Sequence, residues 1–494
     1  MTNSKFHIIS FLLSLLLLIA CSPVIDGESE LINDGENAWL TVSVNLPSYA
    51  PSASRADISN KDNDDLYEGT ISEQKVSSAR IVLYDSQNMV LYALDITSVD
   101  VLGGQFASPF VLKARSFKKE DLEVLVLLNP TEKVKAVTNK GNTKSQFEVV
   151  ATESVNNLVS SEGIFMCNAS GYTKTTDANW KRTQQEAEAP GAPVSVRVER
   201  SVAKIFVSPK AETAIPAENG TATMRMFGLD IINKKIYWMR RPGQCIVSVG
   251  TITTPASLGT ENPTTPAYYQ YAIDPNMGTF NSSDHSQFWY YNEEGMFSTS
   301  TGGFDDDKGL YVTENTMTEE SQRGFSTTRI LFNIQYLPAS LTFNNTDKSW
   351  ANYKGKLMTL NELKEKIASS TSQTDEEMEM PEGFKKDMGT LGISDFTRSF
   401  EKNNLKFYYN GENYYTTYIR HFDDGKQPMK MAYGRYGVVR NHAYKIEIAK
   451  IWGPGSPLPP QPEDEPNDQE KQYIAVNILV SPWTIRKQTD IILE

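Results

Sequence analysis

The sequence predicts a mostly β protein with more than one domain. Thr, Ser, Tyr, Val, Asn and Ile are frequent, and these residue types favour strands. Several segments alternate apolar and polar residues with a period of two, as half-buried strands do, and no helix-rich repeat is visible. With 494 residues, of which 39% are hydrophobic and 10% aromatic, the chain is long enough for two or three domains with real cores.

The first 21 residues predict an export signal. Residues 8–20 form an almost unbroken apolar run, which is too short for a helix across a bilayer of ~30 Å but long enough for the core of a signal peptide. The run ends in Leu18-Ile19-Ala20-Cys21, which is typical of a lipobox. A peptidase would then cut before Cys21, and the thiol would carry lipid. The alternative is an ordinary signal peptide with an incidental cysteine.

Residues 38–47 predict the first strand. Leu40, Val42, Val44 and Leu46 fall on one face of this strand, polar residues fall on the other, and a proline ends it. The following residues, 48–65, contain many turn formers and few large apolar side chains, so we expect an exposed loop open to proteases. Arg55 is the only Lys or Arg between Lys5 and Lys61.

Further strands are expected on both sides of a domain boundary. Residues 79–84 and 89–94 predict a hairpin around the turn at 85–88, and residues 122–128 predict a buried strand. Residues 194–207 alternate again, and Pro, Ala and Gly gather at 208–219, where the first domain is expected to end.

The second β-rich region begins near residue 222. Its expected strands lie at 224–237, 329–336 and 438–451. Residues 359–368 predict a short amphipathic helix that Thr359 or Asn361 caps. Asn410-Gly411, between two aromatic-rich runs, predicts a hairpin of residues 407–409 with 414–419.

The C-terminus predicts a strand at the end of a long arm. Residues 453–470 are rich in proline and acidic residues, which indicates a semi-rigid, extended linker. Beyond the linker, one face of the next strand carries Ile474, Val476, Ile478 and Val480. A second apolar segment lies at 484–493, and the pattern does not decide between the two as an exchanged strand.

Composition and motifs argue against several functions. The net charge of −13 disfavours nucleic acid as a partner, because nucleic-acid binding needs a basic surface. There is no His/Cys spacing for zinc, no phosphate-binding glycine loop and no nucleophile–base set. We therefore predict no enzyme, no metal and no cofactor, and we expect His421 and His442 to be structural.

A few residues leave alternatives open. The acidic runs 62–65 and 305–309 are expected to be solvated loops rather than calcium sites. Cys167 and Cys245 either pair in the exported protein or are small buried apolar residues. Cross-strand packing explains the tyrosines more simply than sugar binding, which stays the alternative, and the cluster is Tyr408, Tyr409, Tyr414, Tyr415 and Tyr418.

The order of several segments resembles the FimA/Mfa-type fimbrillins of Bacteroidales, which build type V pili, and is most similar to the Mfa-like branch. The resemblance lies in the lipobox at Leu18–Cys21, the segment Val196–Ile205 and the run Tyr436–Ile446. That run leads into residues 451–455, the Pro-rich arm and Trp483. The resemblance extends over nearly the whole chain, but no family motif is visible in residues 250–400.

The resemblance implies two β-sandwich domains in tandem, of transthyretin-like or Greek-key type, with a few short helices. It also implies that an arginine-specific protease cuts between Arg55 and Ala56. The expected parts are a lipoprotein signal peptide (1–20), a propeptide with the first strand (21–55), an N-terminal β-sandwich (56–212), a C-terminal β-sandwich (213–452) and an arm with the donor strand (453–494).

The implied function is that of a fimbrial subunit that polymerises head to tail by donor-strand exchange and supports adhesion. Loss of the first strand would open an apolar groove, and a C-terminal strand of the next identical or related subunit would fill it. The precursor would be held at the outer membrane by its lipid, and the processed subunit would lie in the fimbria. An accessory tip or anchor fimbrillin and a surface glycan-binding lipoprotein are the alternatives.

Overall fold

A computed structural model of the chain describes residues 32–47, 67, 69–169, 171–241, 274–276, 288–289, 297–298, 308–317, 321–344, 346–421, 436–467 and 474–482. Within them, strands dominate and the helices are short, which confirms the mostly β prediction. The helices are Ile71–Gln74 (α1), Glu132–Val137 (α2), Lys144–Glu148 (α3), Val155–Leu158 (α4), Gln184–Ala187 (α5), Leu360–Ser369 (α6) and Phe384–Gly389 (α7).

The strands fall into an earlier and a later group along the chain. The earlier strands are Asn37–Leu40 (β1), Val42–Asn45 (β2), Ala79–Tyr84 (β3), Val90–Ile96 (β4), Phe110–Val111 (β5), Arg115–Lys118 (β6), Glu123–Leu128 (β7), Ala151–Thr152 (β8), Val159–Ser160 (β9), Gly163–Ile164 (β10), Met166–Asn168 (β11), Thr173–Lys174 (β12) and Val194–Arg200 (β13).

The later group forms the second half of the molecule. Its strands are Val202–Ser208 (β14), Ala214–Ile215 (β15), Gly220–Asp230 (β16), Ile232–Asn233 (β17), Lys235–Ile236 (β18), Phe288–Trp289 (β19), Phe297–Ser298 (β20), Leu310–Thr313 (β21), Asn315–Thr316 (β22), Arg329–Pro338 (β23), Trp350–Tyr353 (β24), Lys356–Thr359 (β25), Phe400–Lys402 (β26), Leu405–Tyr408 (β27), Glu412–Tyr418 (β28), Gly437–Val438 (β29), His442–Ile451 (β30) and Ile474–Pro482 (β31).

The first domain is built on an eight-stranded sheet with two apolar faces. Its strand order is β4-β3-β7-β11-β13-β2-β5, and β12 pairs with β7. Because side chains alternate along β3, Ile81 and Leu83 lie in the core on one face of the sheet, which the two-stranded β1–β6 ribbon covers. Val82 and Tyr84 lie in a second core on the other face, to which α2, α3 and α4 contribute. The predicted hairpin of β3 and β4 is confirmed.

The second domain is a β-sandwich around one large core. One layer has the order β21-β14-β30-β31, and the facing layer has the order β15-β16-β23-β28 with β20 paired to β16. Ile205 of β14 and Ile446 of β30 pack from one layer, while Phe227 of β16 and Phe332 of β23 pack from the other. Burial of these apolar faces against each other is what holds the two sheets together.

A small satellite is inserted between β23 and β28. Its sheet has the order β25-β24-β27-β26, and α6 and α7 pack on it around a separate core that includes Leu363, Phe384 and Phe407. The predicted helix is confirmed, with Thr359 as its N-cap in a reciprocal capping box with Glu362.

The hairpin predicted at Asn410-Gly411 is wrong. Both residues have positive φ, 52° and 70°, and do form a turn. However, β27 before the turn pairs with β24 and β26, whereas β28 after it pairs with β23. The aromatic side chains decide this outcome: Tyr408 stacks on Trp350 of β24 with ring centroids 3.9 Å apart, and Tyr415 enters the core of the second sandwich.

The continuous alternation of residues 194–207 is divided between the two domains. β13 ends at Arg200 and lies in the first sheet, whereas β14 starts at Val202 and pairs with β21 and β30 of the second sandwich. Strand pairing thus separates the domains at Ser201, ahead of residue 212 where composition placed the end of the first domain. Ser201 is buried, and its N–H donates to the carbonyl of Phe165 over 3.0 Å.

Candidate functional site

The first strand of the sequence is an integral part of the first domain. β1 pairs antiparallel with β6, from Asn37 opposite Lys118 to Leu40 opposite Arg115. β2 then lies between two partners, parallel to β13 and antiparallel to β5. The chain changes from one sheet to the other at Thr41, whose carbonyl accepts a hydrogen bond from the N–H of Val194 over 2.8 Å.

The apolar side chains of this segment fill the first core. Leu40, Val42, Val44 and Leu46 are 2%, 5%, 0% and 3% exposed, respectively. All four belong to the core that the eight-stranded sheet shares with the β1–β6 ribbon. The cavity beside Leu40 and Val42 measures only about 20 Å³, so the fit is close. Without this segment, the facing side chains of β3, β7 and β13 would be exposed to water.

The C-terminal strand lies in the second sandwich. β31 pairs antiparallel with β30 from Ile474 opposite Ile451 to Pro482 opposite His442. Ile474 is 3% exposed within the core, and Val476 and Ile478 pack against it half-buried. The backbone of Val480 pairs with Tyr444, while its side chain lies outside the described residues. β31 is therefore an edge strand of its own domain rather than a strand held away from it.

The Pro-rich arm packs along the second sandwich. Ser456 and Tyr414 exchange two backbone hydrogen bonds, of 2.8 and 3.0 Å, which pairs the arm with the edge strand β28. Further along, Asp464 forms an ion pair with Arg323 over 2.5 Å, and the carbonyl of Pro460 accepts from Arg329. The arm predicted to be an extended spacer is thus extended but docked, at least through residue 467.

Three predicted sites fall outside the described residues. They are Cys21, expected to carry lipid, and the expected cleavage pair Arg55 and Ala56. The described chain ends before the cleavage loop at Pro47, directly after the buried Leu46, and resumes at Tyr67. Of the acidic runs, 62–65 and 305–307 are also outside the description.

The two family-like segments meet at the junction of the domains. The N–H of Asn441 donates to the carbonyl of Val202 over 2.9 Å, and its side-chain oxygen accepts from the N–H of Arg200 over 3.3 Å. Next to this contact, Arg440 forms a buried ion pair with Glu314 over 3.0 Å and donates to the carbonyl of Trp238. These segments join the two sandwiches, a role their sequence pattern did not reveal.

A second buried ion pair lies beside the first. Arg240 donates to Glu199 over 2.7 Å, and both side chains are almost completely buried. Burial raises the pKa of Glu199 to about 7, and the positive charges of Arg240 and Arg440 oppose that rise. Buried ion pairs of this kind are costly to break, because one charge is then left without a partner.

The histidines and the described cysteine are buried. His421 accepts from or donates to Tyr444 over 2.6 Å, and His442 contacts the carbonyl of Arg440 over 2.9 Å. Burial lowers the pKa of both imidazoles, that of His442 to about 4, so both are neutral at pH 7. Cys167 has no disulfide partner among the described residues, and Cys245 lies outside them. Burial raises the pKa of the Cys167 thiol to about 12.

Most of the tyrosine cluster belongs to the protein interior. Tyr408, Tyr415 and Tyr418 are buried, and the hydroxyls of the first two donate to carbonyls of the arm, at Gly455 and Gly453. Their rings are thereby used for packing between strands of different sheets and for fixing the arm. This differs from the predicted cross-strand packing within one hairpin.

The described residues contain neither a cluster of metal ligands nor a helix that could span a membrane. No group of three or more His, Cys, Asp or Glu side chains in this part of the chain is placed to hold a metal ion. Among the helices described above, none has both the length and the apolar character needed to cross a membrane.

Structural comparison matches the chain to solved structures of fimbrial proteins, all at low sequence identity and with TM-scores below 0.5. The fimbrillin FimA of Porphyromonas gingivalis is 13% identical, with 91% of this chain and 98% of that chain covered at a TM-score of 0.42. The tip fimbrial protein Mfa3 of the same organism, with a C-terminal truncation, is 11% identical, with 91% and 100% covered at 0.33. A fimbrial assembly protein of Parabacteroides distasonis is 11% identical, with 60% and 96% covered at 0.27.

Sequence comparison identifies the C-terminal part more directly. No curated protein matches the chain. Residues 406–489 match the family described as major fimbrial subunit protein type IV, fimbrillin, C-terminal. This range runs from β27 through the arm and β31, and it includes the junction residues Arg440 and Asn441. Over this segment the chain is similar to the C-terminal region of fimbrillins, in agreement with the resemblance expected from the sequence.

Proposed function

We propose that this protein is a subunit of a cell-surface fimbria that polymerises after its first strand is removed by proteolysis. Cleavage after Arg55 separates β1 and β2 from the rest of the first domain. The apolar groove that remains is filled by the C-terminal segment of a neighbouring subunit. The match of residues 406–489 to a fimbrial subunit family supports the general role, and the geometry of β1 and β2 supports the mechanism.

The burial of Leu40, Val42, Val44 and Leu46 is the observation on which this proposal rests. Four aliphatic side chains, at ~1.5–3 kcal/mol each, contribute roughly 6–12 kcal/mol when they are removed from water. Their loss also leaves the edges of β13 and β5 without the backbone partners that β2 provides. An unpaired edge beside an apolar groove favours addition of another strand.

The uncut precursor remains monomeric in this proposal. Its groove is occupied by a segment of the same chain, so a donor from another molecule would have to displace buried side chains. A head-to-tail contact, once the groove is open, need not close on itself and therefore extends into a fibre.

We propose residues 484–493 as the principal donor. Donation of β31 would break its pairing with β30 from Ile474 to Pro482 and remove Ile474 from the core of the second sandwich. Donation of residues 484–493 would leave the pairing of β31 with β30 intact. Trp483, Ile485, Ile491 and Leu493 are all odd-numbered, so they would share one face of an extended strand.

The remaining parts of the proposal concern processing and location. Cys21 carries lipid and holds the precursor at the outer membrane, and an arginine-specific protease cuts between Arg55 and Ala56. The partners of the processed subunit are identical or related fimbrial subunits. Arg55 supports the choice of protease, because no other Lys or Arg lies between Lys5 and Lys61.

The test is to compare Arg55→Ala with wild type and with the loop control Lys61→Ala, each with and without an arginine-specific protease. Electron microscopy and size-exclusion chromatography should show fibres from wild type and Lys61→Ala only after protease treatment. Arg55→Ala should stay monomeric under all conditions. Fibres of Arg55→Ala in wild-type yield would overturn the proposed trigger.

A further inference from the structure

A short segment after the cleavage loop crosses from one domain to the other. Tyr67 and α1 lie directly after the loop that contains Arg55, and they contact the second sandwich rather than only the first. Their contacts are Lys204 and Phe206 on β14 and Tyr311 on β21. Lys204 and Phe206 alternate with the core residues Ala203, Ile205 and Val207, so they lie on the outer face of that sheet.

The carboxylate of Glu73 is the centre of this contact. It accepts hydrogen bonds from the ammonium of Lys204 over 2.5 Å, the hydroxyl of Tyr67 over 3.0 Å and the N–H of Thr70 over 2.8 Å. The hydroxyl of Tyr311 donates to it as well. The carboxylate therefore has partners from its own helix cap and from two strands of the other domain.

The partner lysine is enclosed by aromatic rings. Its ammonium lies 4.9 Å from the ring centroid of Phe206, 5.1 Å from that of Tyr311 and 5.5 Å from that of Tyr67. The rings of Tyr67 and Phe206 meet edge to face, 5.1 Å apart. Such rings stabilise a cation that has been removed from water.

The ion pair is almost fully buried. The side chains of Lys204 and Glu73 are 1% and 2% exposed. Burial raises the pKa of the Glu73 carboxyl, but the charge of Lys204 and the hydrogen bonds outweigh burial and bring the pKa below its usual value. The Glu73 carboxylate is therefore charged at neutral pH, and separating it from Lys204 would leave an isolated charge in the interior.

The residues after α1 are fastened to the first domain. The carbonyl of Lys75 accepts a hydrogen bond from the side-chain amide of Asn129 over 3.0 Å. The ammonium of Lys75 forms an ion pair with Glu162, also over 3.0 Å. The N–H of Ser77 donates to Asn129 over 2.8 Å. Within about ten residues, the chain is thus held first by the second sandwich and then by the first.

We infer that Tyr67 and residues 69–74 form a brace that locks the start of the mature chain across both domains and keeps it in place when the loop upstream is cut. Residues up to the cleavage site, which include β1 and β2, would leave the subunit after cleavage. The brace and the residues after it would stay attached to both domains. The relevance to assembly rests on the proposed function, whereas the brace itself is tested by proteolysis alone.

The experiment uses trypsin on the full-length precursor, because its cleavage sites flank the brace. Lys61 lies before the brace and Lys75 after its buried contacts. N-terminal sequencing and mass spectrometry of the tryptic core should show the loop cut at Arg55 or Lys61 while the Lys75–Val76 bond stays intact. A wild-type core that begins at Val76 as soon as the loop is cut would overturn the inference.

Two variants weaken the brace without leaving a lone buried charge. Tyr311→Phe removes one donor to Glu73, and Glu73→Gln combined with Lys204→Met removes both charges. Cleavage after Lys75 should become several-fold faster in the first variant and at least tenfold faster in the second. The matched control is Tyr336→Phe, which removes a tyrosine hydrogen bond elsewhere in the second sandwich.

The control distinguishes loss of the brace contacts from a general loss of stability as the cause of faster cleavage after Lys75. Tyr336→Phe should leave the rate at Lys75 within twofold of wild type. Equal acceleration by Tyr336→Phe and Tyr311→Phe would overturn the inference, as would rates within twofold of wild type in both brace variants. None of these outcomes depends on whether fibres form, so failure of the brace and failure of the proposed function can be told apart.

Discussion

Four aliphatic residues near the N-terminus carry the argument at the residue scale. Leu40, Val42, Val44 and Leu46 alternate with less apolar neighbours, and all four enter the first core. In the proposal they are also absent from the processed subunit. Their contribution to stability should therefore be measurable in the precursor and should disappear once the chain has been cut and the segment has left.

Leu40→Ala should destabilise the precursor by about 2–5 kcal/mol, because it removes buried methyl groups and leaves a cavity. The measurement is urea unfolding of the first domain, followed by its intrinsic fluorescence. Ser43→Ala, at a half-buried position of the same segment, should change the free energy of unfolding by less than about 0.5 kcal/mol.

Comparing Leu40→Ala with wild type after cleavage tests whether the first strand leaves the processed subunit. Once residues up to Arg55 have been removed, Leu40→Ala and wild type should form fibres of identical stability, because neither retains Leu40. A difference between the fibres would show that the segment remains bound after cleavage.

A second residue-scale prediction concerns pH. Burial lowers the pKa of His442 in the folded protein to about 4, from 6.5 in the unfolded chain, and the positive charge of Arg240 adds to this effect. The unfolded chain therefore binds a proton first as pH falls. This contribution is fully present above pH 6.5 and is lost progressively between pH 6.5 and 4, at up to about 1.4 kcal/mol per pH unit.

The variant His442→Gln should have a shallower decline in this window. Urea unfolding of the second sandwich at half-unit steps from pH 6.5 to 5 measures the slope. His421, whose pKa burial also lowers, should contribute to the slope that remains. An unchanged slope in His442→Gln would mean that its imidazole is already protonated in the folded state.

Residue identity in the sequence was enough to predict burial but not ionic partners. The alternation at Leu40 to Leu46 directly marks one face of a strand. In contrast, Glu73 and Lys204 are 131 residues apart, and Arg440 and Glu314 are 126 apart. No local pattern links such residues, because only the sheet topology brings them together. Both pairs were therefore missed.

At the scale of elements, β31 and the segment after it have different roles in this account. β31 completes a layer of the second sandwich, so it contributes to the fold of its own subunit. The docked arm brings the chain to β31 along the edge of the opposite layer. In the proposal, the segment beyond Pro482 pairs with a neighbouring subunit instead.

Two truncations should separate these roles. Deletion of 483–494 should leave the stability of the processed subunit unchanged but abolish fibres. Deletion of 474–494 should also lower the stability of the second sandwich, because Ile474 leaves the core and β30 becomes an exposed edge. Thermal unfolding and electron microscopy measure the two effects.

The contrary outcome is equally specific. If the 483–494 deletion still polymerises and the 474–494 deletion does not, β31 is the donor and must leave its own domain during assembly. Loss of stability in the shorter deletion would show that the last residues belong to the fold of their own subunit.

Local sequence patterns predicted the positions of strands and helices better than they predicted which strands pair with each other. The β3–β4 hairpin and helix α6 were both expected, because their turn and cap residues act over a few positions. Asn410-Gly411 is also a real turn, yet its flanking strands join different sheets. The alternation of residues 194–207 likewise gave no sign that Ser201 separates two domains, since side-chain period is the same in either sheet.

At the scale of the whole molecule, the described residues form two sandwiches and a small satellite, and buried contacts fix the two sandwiches to each other. The pair Arg240–Glu199, the hydrogen bond from Arg200 to Asn441 and the brace around Glu73 span the junction. In the proposal, polymerisation adds such two-domain units, each joined to the next by one exchanged strand.

The most direct measurement of the central claim is a cryo-electron microscopy map of fibres formed from the processed subunit. The account predicts that the strand between β13 and β5 is contributed by residues 484–493 of the neighbouring subunit and that residues 38–46 are absent. A map in which residues 38–46 of the same chain still occupy that position would contradict the account.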